Sequence, residues 1–168
     1  MTAHRYDFTP DLEAATLSIA REFDAPRDLV WACYTTAELL DRWYAPKPLT
    51  ARTSHLDFAE GGYWLFAMVM PDGTEFWSRQ DYERITPRDR FSAYDAFSDA
   101  SGAIDPAMPR ASMVLTFTPL GDRTLVQTEL AYPSTEDLQK VIDMQMEEGL
   151  ASTLERLDEL LVSLKEEV

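Results

Sequence analysis

The feature that most constrains the fold is a long run of alternating strands and turns followed by a single amphipathic helix. Six strand-like segments lie at about 49–58, 62–70, 74–85, 90–97, 111–118 and 124–131, separated by turn sequences such as Pro71-Asp72-Gly73. Most connections are short, but Ser98 to Arg110 is long and contains Gly102, Pro106 and Pro109, so we expect it to be mobile. The pattern predicts a six-stranded antiparallel meander.

The C-terminal segment has the spacing of one long amphipathic helix. Ser134 is placed to cap it, and apolar residues recur every three or four positions from Leu138 to Leu164. An antiparallel sheet with one apolar face needs a cover, and only this helix is long enough to supply it. We therefore expect the sheet to curl around the helix. Its many acidic residues form either a solvated face or an acidic docking surface.

The chain before the meander predicts one strand and two short helices. Apolar and polar residues alternate from Thr16 to Phe23, which is typical of a half-buried strand. Asp24-Ala25-Pro26 then predicts a helix start, and Thr35 with Glu38 predicts a capping box for a second helix. We expect residues 1–14 to be a loose lead-in and residues 15–168 to form a single α+β domain.

Charge and cysteine content exclude several classes of partner. Fifteen basic against thirty acidic side chains give a formal charge of −15, which repels nucleic acid and anionic membranes. The single cysteine, Cys33, cannot form an internal disulfide, and no apolar signal segment follows the N-terminal residues. No apolar run has the length of a membrane helix, so we expect a cytoplasmic protein.

An ordered set of short motifs resembles a known superfamily. The motifs are Arg21-Glu22-Phe23-Asp24-Ala25-Pro26, Val30-Trp31, Leu40-Asp41-Arg42-Trp43-Tyr44-Ala45-Pro46, Glu60-Gly61-Gly62, Pro71-Asp72-Gly73, Tyr82-Glu83-Arg84-Ile85-Thr86-Pro87 and Gly149. Together they resemble the helix-grip or START-like (SRPBCC) superfamily, in the branch related to the C-terminal domain of the activator of the Hsp90 ATPase. The resemblance implies a helix-grip fold, in which a curved antiparallel sheet wraps around a long C-terminal helix.

The resemblance also implies a cavity between the sheet and the long helix. The candidate ligand-binding residues are Trp43, Trp64, Phe66, Met68, Gln80, Tyr82, Tyr94, Met146 and Gly149. The alternative is that these aromatic residues and methionines fill an ordinary core. The strand that holds Tyr94 fits either register, so its side chain faces inward or outward. A glycine inside a helix, such as Gly149, indicates close approach of another backbone or of a ligand.

Four positions depart from the family pattern. Gln80 stands where glycine is usual and Leu150 where tryptophan is usual, and both positions are expected near the pocket. Tyr63 and Leu65 replace arginines, which makes the outer face of the sheet more apolar and favours a homodimer through that face.

Few residues are arranged for metal or nucleophilic chemistry. His4 and His55 are far apart and no zinc-type spacing occurs, so we expect neither a metal nor a cofactor. Cys33 lies on the apolar face of the first helix, as a buried thiol does. Acid–base chemistry requires a shifted register that turns Trp77, Arg79, Asp81 and Glu83 into the cavity.

Three functions are compatible with these observations. The first is a protein that binds a small apolar or amphipathic molecule without turning it over. The second is a cyclase- or hydrolase-like enzyme that uses Gln80, Tyr82 or the acidic residues of segment 74–85. The third is a co-chaperone-like interaction module, which the family name alone implies.

Overall fold

A computed structural model describes residues 5–166 as one curved antiparallel sheet with helices against its concave face. The strands are β1 Tyr6–Asp11, β2 Thr16–Phe23, β3 Thr50–Leu56, β4 Tyr63–Val69, β5 Glu75–Thr86, β6 Arg90–Ser98, β7 Ser112–Leu120 and β8 Arg123–Ala131. The helices are α1 Arg27–Thr35, α2 Ala37–Leu40, α3 Thr135–Asp143 and α4 Met146–Glu166. The strand order β1-β2-β8-β7-β6-β5-β4-β3 confirms the predicted α+β helix-grip fold. Among residues 5–166 no helix has the length and apolar character needed to span a membrane.

The meander predicted from residue 49 onward is present as β3 to β8. Strict alternation in β4 places Trp64, Phe66 and Met68 on the inner face of the sheet, which faces the helices. The turn into β4 requires glycine at position 62, because an added Cβ there would lie 2.2 Å from the carbonyl oxygen of Asp57.

The N-terminal stretch is more ordered than the sequence predicts. Tyr6–Asp11 forms the edge strand β1 and pairs antiparallel with β2 over the whole of its length. The expected loose lead-in over 1–14 is therefore wrong for this stretch, and residues 1–4 lie outside the described part of the chain. β1 does alternate, because Tyr6 and Phe8 are half-buried and pack against the core while Asp7 and Thr9 are exposed. The alternation covers only four residues before Pro10, which is too short to predict a strand from the sequence.

The two short helices after β2 occur where they were predicted, but their caps differ. Neither Pro26, at the start of α1, nor Thr36, at the start of α2, accepts a side-chain capping hydrogen bond. The Thr35 hydroxyl donates instead to the carbonyl oxygen of Trp31, at 2.9 Å. The predicted capping box at Thr35 is therefore wrong.

The C-terminal segment consists of two helices rather than one. Ser134 caps α3 through a hydrogen bond from the backbone N–H of Asp137, as predicted. The helix then stops at Met144, and Gln145 takes a left-handed conformation with φ +61° before α4 begins. Only α4 provides the buried leucine row that covers the sheet, including Leu154, Leu157, Leu160 and Leu161.

The connection between β6 and β7 folds back over the outer face of the sheet. Asp99 Oδ1 accepts hydrogen bonds from the backbone N–H groups of Ser101 and Ala103, and Arg79 donates to the carbonyl oxygen of Gly102. These contacts fasten a segment that we expected to be mobile. The segment also lies against Leu65, whose residual exposure is 4%, so one of the two residues that favoured a homodimer is covered by the chain itself, while Tyr63 stays half-buried.

Candidate functional site

A cavity of about 360 Å³ lies between the inner face of the sheet and the junction of α3 with α4. Its apolar lining is formed by Ile19, Pro46, Met68, Phe97, Met113, Leu115, Val126, Leu130, Val141, Met144, Met146, Leu150 and Leu154. Predominantly apolar walls with a few polar groups are typical of sites that bind small molecules. The arrangement suits a ligand with an apolar body and a small polar head.

Among the polar side chains that line the cavity, Tyr44, Gln80 and Asp95 lie together beside the paired strands β5 and β6, whereas others, such as Arg21 and Thr153, line other parts of the wall. Gln80 and Asp95 are directly opposite each other in the β5–β6 register, and both line the cavity. The Gln80 side-chain amide donates to the hydroxyl oxygen of Tyr44 at 3.1 Å. Asp95 Oδ1 accepts a hydrogen bond from the backbone N–H of Ala111 at 2.8 Å. Tyr44, Gln80 and Asp95 form a group that we call the polar wall.

Burial shifts the protonation equilibria of the polar wall. Loss of water around Asp95 raises the pKa of its carboxyl to about 6, although the Ala111 N–H and the positive charge of Arg110 oppose the shift. Burial likewise raises the pKa of the Tyr44 phenol to about 12, and the Gln80 hydrogen bond opposes that shift. Asp95 therefore titrates near neutrality, whereas Tyr44 stays protonated over the physiological range.

A second charged residue, Arg21 on β2, lines the cavity but is already paired. Its guanidinium forms an ion pair with Asp158 on α4 and donates to the carbonyl oxygen of Glu22. The same group lies over the ring of Phe23, 4.9 Å from the ring centroid. The positive charge of Arg21 is therefore largely compensated by the protein.

Five of the nine predicted ligand-binding residues line the cavity, namely Trp43, Met68, Gln80, Met146 and Gly149. Trp64 and Phe66 are buried behind the polar wall, where their rings stack with centroids 3.8 Å apart and Trp64 meets the ring of Tyr44 edge to face. These two residues hold Tyr44 in place rather than line the open space.

The remaining two predicted residues lie away from the cavity. Tyr82 is buried in a separate aromatic group with Phe58 and Phe91. Tyr94 points to the outer face, is 41% exposed, and donates its hydroxyl hydrogen to Glu83 at 3.0 Å. The prediction for Tyr94 is wrong, because the register of β6 turns Phe91, Ala93 and Asp95 inward and Tyr94 outward.

The register of β5 excludes the charged cavity considered as an alternative. Gln80 and Tyr82 are the buried residues of this strand, so Trp77, Arg79 and Asp81 lie on the opposite face. There Asp81 forms ion pairs of 2.6 Å with Arg79 and with Arg110. These charges stabilise the outer face and are absent from the cavity.

Gly149 lines the cavity without any close backbone contact. A Cβ at this position would meet only the Pro46 ring, at 3.8 Å, which is an ordinary van der Waals distance. The expectation of close backbone approach is therefore wrong. The missing side chain instead leaves open space in the cavity wall.

Sequence reasoning missed Tyr44, Arg21 and Asp95. A signal for Asp95 exists, because it shares the odd-numbered parity of Phe91, Ala93 and Phe97 along β6. A single carboxylate among inward-facing apolar residues marks a polar point inside a cavity. The same signal exists for Arg21, which shares the odd-numbered parity of the buried residues Leu17, Ile19 and Phe23 along β2. Tyr44 follows α2 outside any strand, and no comparable pattern marks it.

Other reactive groups lie outside this site. Within residues 5–166 no three His, Cys, Asp or Glu side chains are grouped to hold a metal ion. Cys33 is fully buried, and this burial raises the pKa of its thiol to about 12, so the thiolate nucleophile is scarce.

Comparison with known proteins identifies the family. The model of the family described as activator of Hsp90 ATPase homolog 1-like protein matches residues 24–162. A solution structure of an Arthrobacter aurescens protein is 30% identical with a TM-score of 0.87, and the match covers 94% of this chain and 91% of that one. A crystal structure from Mycobacterium smegmatis is 28% identical with a TM-score of 0.86, covering 96% and 99% of the two chains. The search of curated proteins finds no significant match. Because the family model spans most of the chain, this protein belongs to the family of activator of Hsp90 ATPase homolog 1-like proteins.

Proposed function

We propose that this protein binds a small apolar or amphipathic molecule in the cavity between the sheet and α4. The observation that carries the proposal is a mainly apolar space of about 360 Å³ whose lining includes the small polar group Tyr44, Gln80 and Asp95. Transfer of each ligand methylene from water into such a space contributes about 0.8 kcal/mol. The polar wall then orients the ligand, since a buried polar group gains most from a partner with matching hydrogen-bonding capacity.

Native mass spectrometry of gently purified protein, followed by extraction and identification of released compounds, tests this proposal. We expect a stoichiometric small molecule on the wild-type chain and on Gly149→Ala, and none on Gly149→Leu. The leucine side chain fills part of the cavity, whereas the alanine methyl makes only ordinary contact with Pro46. Gly149→Ala is the matched control, because it also raises helix propensity by about 1 kcal/mol.

Two results would contradict the proposal. One is equal uptake by Gly149→Leu and Gly149→Ala, which would place the molecule elsewhere. The other is the absence of any bound compound together with no binding of added apolar probes by a wild-type chain of normal stability.

Two rival functions have weaker support. Of the residues considered for an enzyme, only Gln80 lines the cavity, so turnover would have to use a different set of groups. A co-chaperone role rests on the family name and is tested by adding the protein to an Hsp90 ATPase assay. A homodimer through the outer face is not part of the proposal, because Leu65 is covered, and the native mass reports the oligomeric state directly.

A further inference from the structure

Two acceptor oxygens of the polar wall have no donor within residues 5–166. Asp95 uses Oδ1 for the Ala111 N–H, and Oδ2 accepts no hydrogen bond. Gln80 uses Nε2 for the Tyr44 hydroxyl, and Oε1 accepts none. Among the described residues, the side-chain nitrogen and oxygen atoms that are sealed from solvent without a partner are Tyr6 OH and Arg123 Nε, so both acceptor oxygens adjoin open space. Because both residues line the cavity, a bound molecule is the natural source of the missing donors.

The charge on Asp95 is also left without a partner. Arg110 lies nearby, but its guanidinium donates to the backbone carbonyl of Asp95 and forms an ion pair with Asp81. The cation that lines the cavity, Arg21, is held by Asp158. A carboxylate in an apolar space is costly unless a cation compensates it.

We propose that the ligand carries a protonated amine, which the Asp95 carboxylate and the Gln80 side-chain carbonyl hold at the polar wall. Cross-strand neighbours have Cβ atoms about 4.5–5.5 Å apart, so two such acceptors can share one ammonium group. An ammonium has three donors and no acceptor, which matches acceptors better than a hydroxyl or a carboxylate does. The apolar body of the ligand then packs against Met68 and Met113. This inference rests on the proposed function and names its ligand class.

The test compares n-octylamine, n-octanol and octanoate, which share one apolar chain and differ in the head group. We expect calorimetry at about pH 8 to show octylamine binding about tenfold more tightly than octanol, because a charge-assisted hydrogen bond is roughly twice as strong as a neutral one. Octanoate binds most weakly. In Asp95→Asn the preference for the amine falls to about twofold or less, while octanol affinity is unchanged. Asp122→Asn removes the same charge from an exposed turn and keeps the wild-type preference.

The wild-type chain supplies a second measurement that needs no variant. Lowering the pH from about 8 to about 5 protonates Asp95 while the alkylamine stays charged, so the preference for amine over octanol declines. The titratable and charged groups that face Asp95 are Arg110, Tyr44 and Tyr132. Burial raises the pKa of both tyrosines, and arginine stays protonated, so none of the three changes charge in this range.

The outcomes separate this inference from the function on which it rests. Equal binding of octylamine and octanol, with both lost in Gly149→Leu, overturns the amine assignment and leaves the cavity proposal standing. An amine preference that persists in Asp95→Asn or is independent of pH also overturns the assignment. If none of the three probes binds to a folded wild-type chain, both proposals fail.

Discussion

At the scale of single residues, Asp95 stands out because its position lowers the stability of the fold. Ordinary core positions of β6 are occupied by apolar side chains such as Phe91 and Ala93, and Asp95 interrupts that row. Burial raises the pKa of its carboxyl from 3.8 to about 6, so the folded state binds a proton more tightly than the unfolded state. Stability therefore falls as the pH rises through this interval. A residue kept at such a cost is typical of a binding site.

Asp95→Asn removes this penalty and keeps an oxygen for the Ala111 N–H. We expect the variant to exceed the wild type in free energy of unfolding by on the order of 2 kcal/mol at about pH 8. The difference shrinks toward about pH 4, where Asp95 is neutral in the folded state. Urea denaturation at several pH values measures it, with Asp122→Asn as the charge-matched control. A variant less stable than the wild type at every pH would show that the carboxylate stabilises the fold.

At the scale of elements, the break between α3 and α4 shapes the helical side of the cavity. Met144, Gln145 and Met146 all line the cavity, and Gln145 adopts the left-handed conformation. A continuous helix would carry these three residues along one straight axis. Because of the break, α3 does not continue along the axis of α4, and the last residues of α3 lie in the cavity wall.

Gln145→Gly should stabilise the protein by up to about 1 kcal/mol, because glycine adopts positive φ without the steric cost that a Cβ brings. Gln139→Gly is the matched control, since it lies inside α3 with an ordinary helical backbone and should destabilise the protein by about 1 kcal/mol. Urea denaturation of both variants measures whether each substitution raises or lowers the free energy of unfolding. Destabilisation by both substitutions would contradict the left-handed assignment at Gln145.

What could be predicted from the sequence depends on whether an element carries a periodic pattern. β4 was predicted with the correct inner face, since the large side chains of Trp64, Phe66 and Met68 recur at every second position of a strand that is apolar throughout. The break at Gln145 was missed because neither glycine nor proline marks it and the apolar spacing continues through it. β1 was missed because its alternating pattern, from Tyr6 to Thr9, is only four residues long and is followed by Pro10.

The cavity was less predictable than the fold around it. A core tryptophan and a cavity-lining tryptophan look alike in sequence, so Trp43 and Trp64 were proposed together, although only Trp43 reaches the open space. Tyr94 and Asp95 differ by one position, and a one-residue difference in register decides which of them faces inward. Packing and register are properties of the assembled sheet, and neighbouring strands rather than local sequence fix them.

At the scale of the whole molecule, the Arg21–Asp158 ion pair joins β2 to α4. The side chains retain 11% and 29% of their exposure, so both charges are largely withdrawn from water. Removing one partner of such a pair leaves the other charge uncompensated, whereas replacing both with apolar groups is far less damaging. The ion pair therefore helps to fix the position of α4 against the sheet.

Asp158→Leu alone should lower the free energy of unfolding by about 1–3 kcal/mol, and Arg21→Met with Asp158→Leu should recover most of that loss. Glu159→Leu is the matched control, because its ion pair with Lys47 is exposed and is expected to contribute about 0–1 kcal/mol. Urea denaturation of the wild type, the two single variants and the double variant measures these differences. A double variant no more stable than Asp158→Leu would show that the two charges act independently.

The position of β2 beside β8 has a consequence for the order in which the chain can fold. Ser18 on β2 donates a hydrogen bond to Glu129 on β8, and these two residues are 111 positions apart. The β1–β2 hairpin is synthesised before the other strands of the sheet, yet one edge of β2 has no partner until β8 has left the ribosome. Pairing between such distant segments is intrinsically slow, and an unpaired strand edge is a template for association with other chains. β2 therefore keeps an unpaired edge while the six strands from β3 to β8 are made.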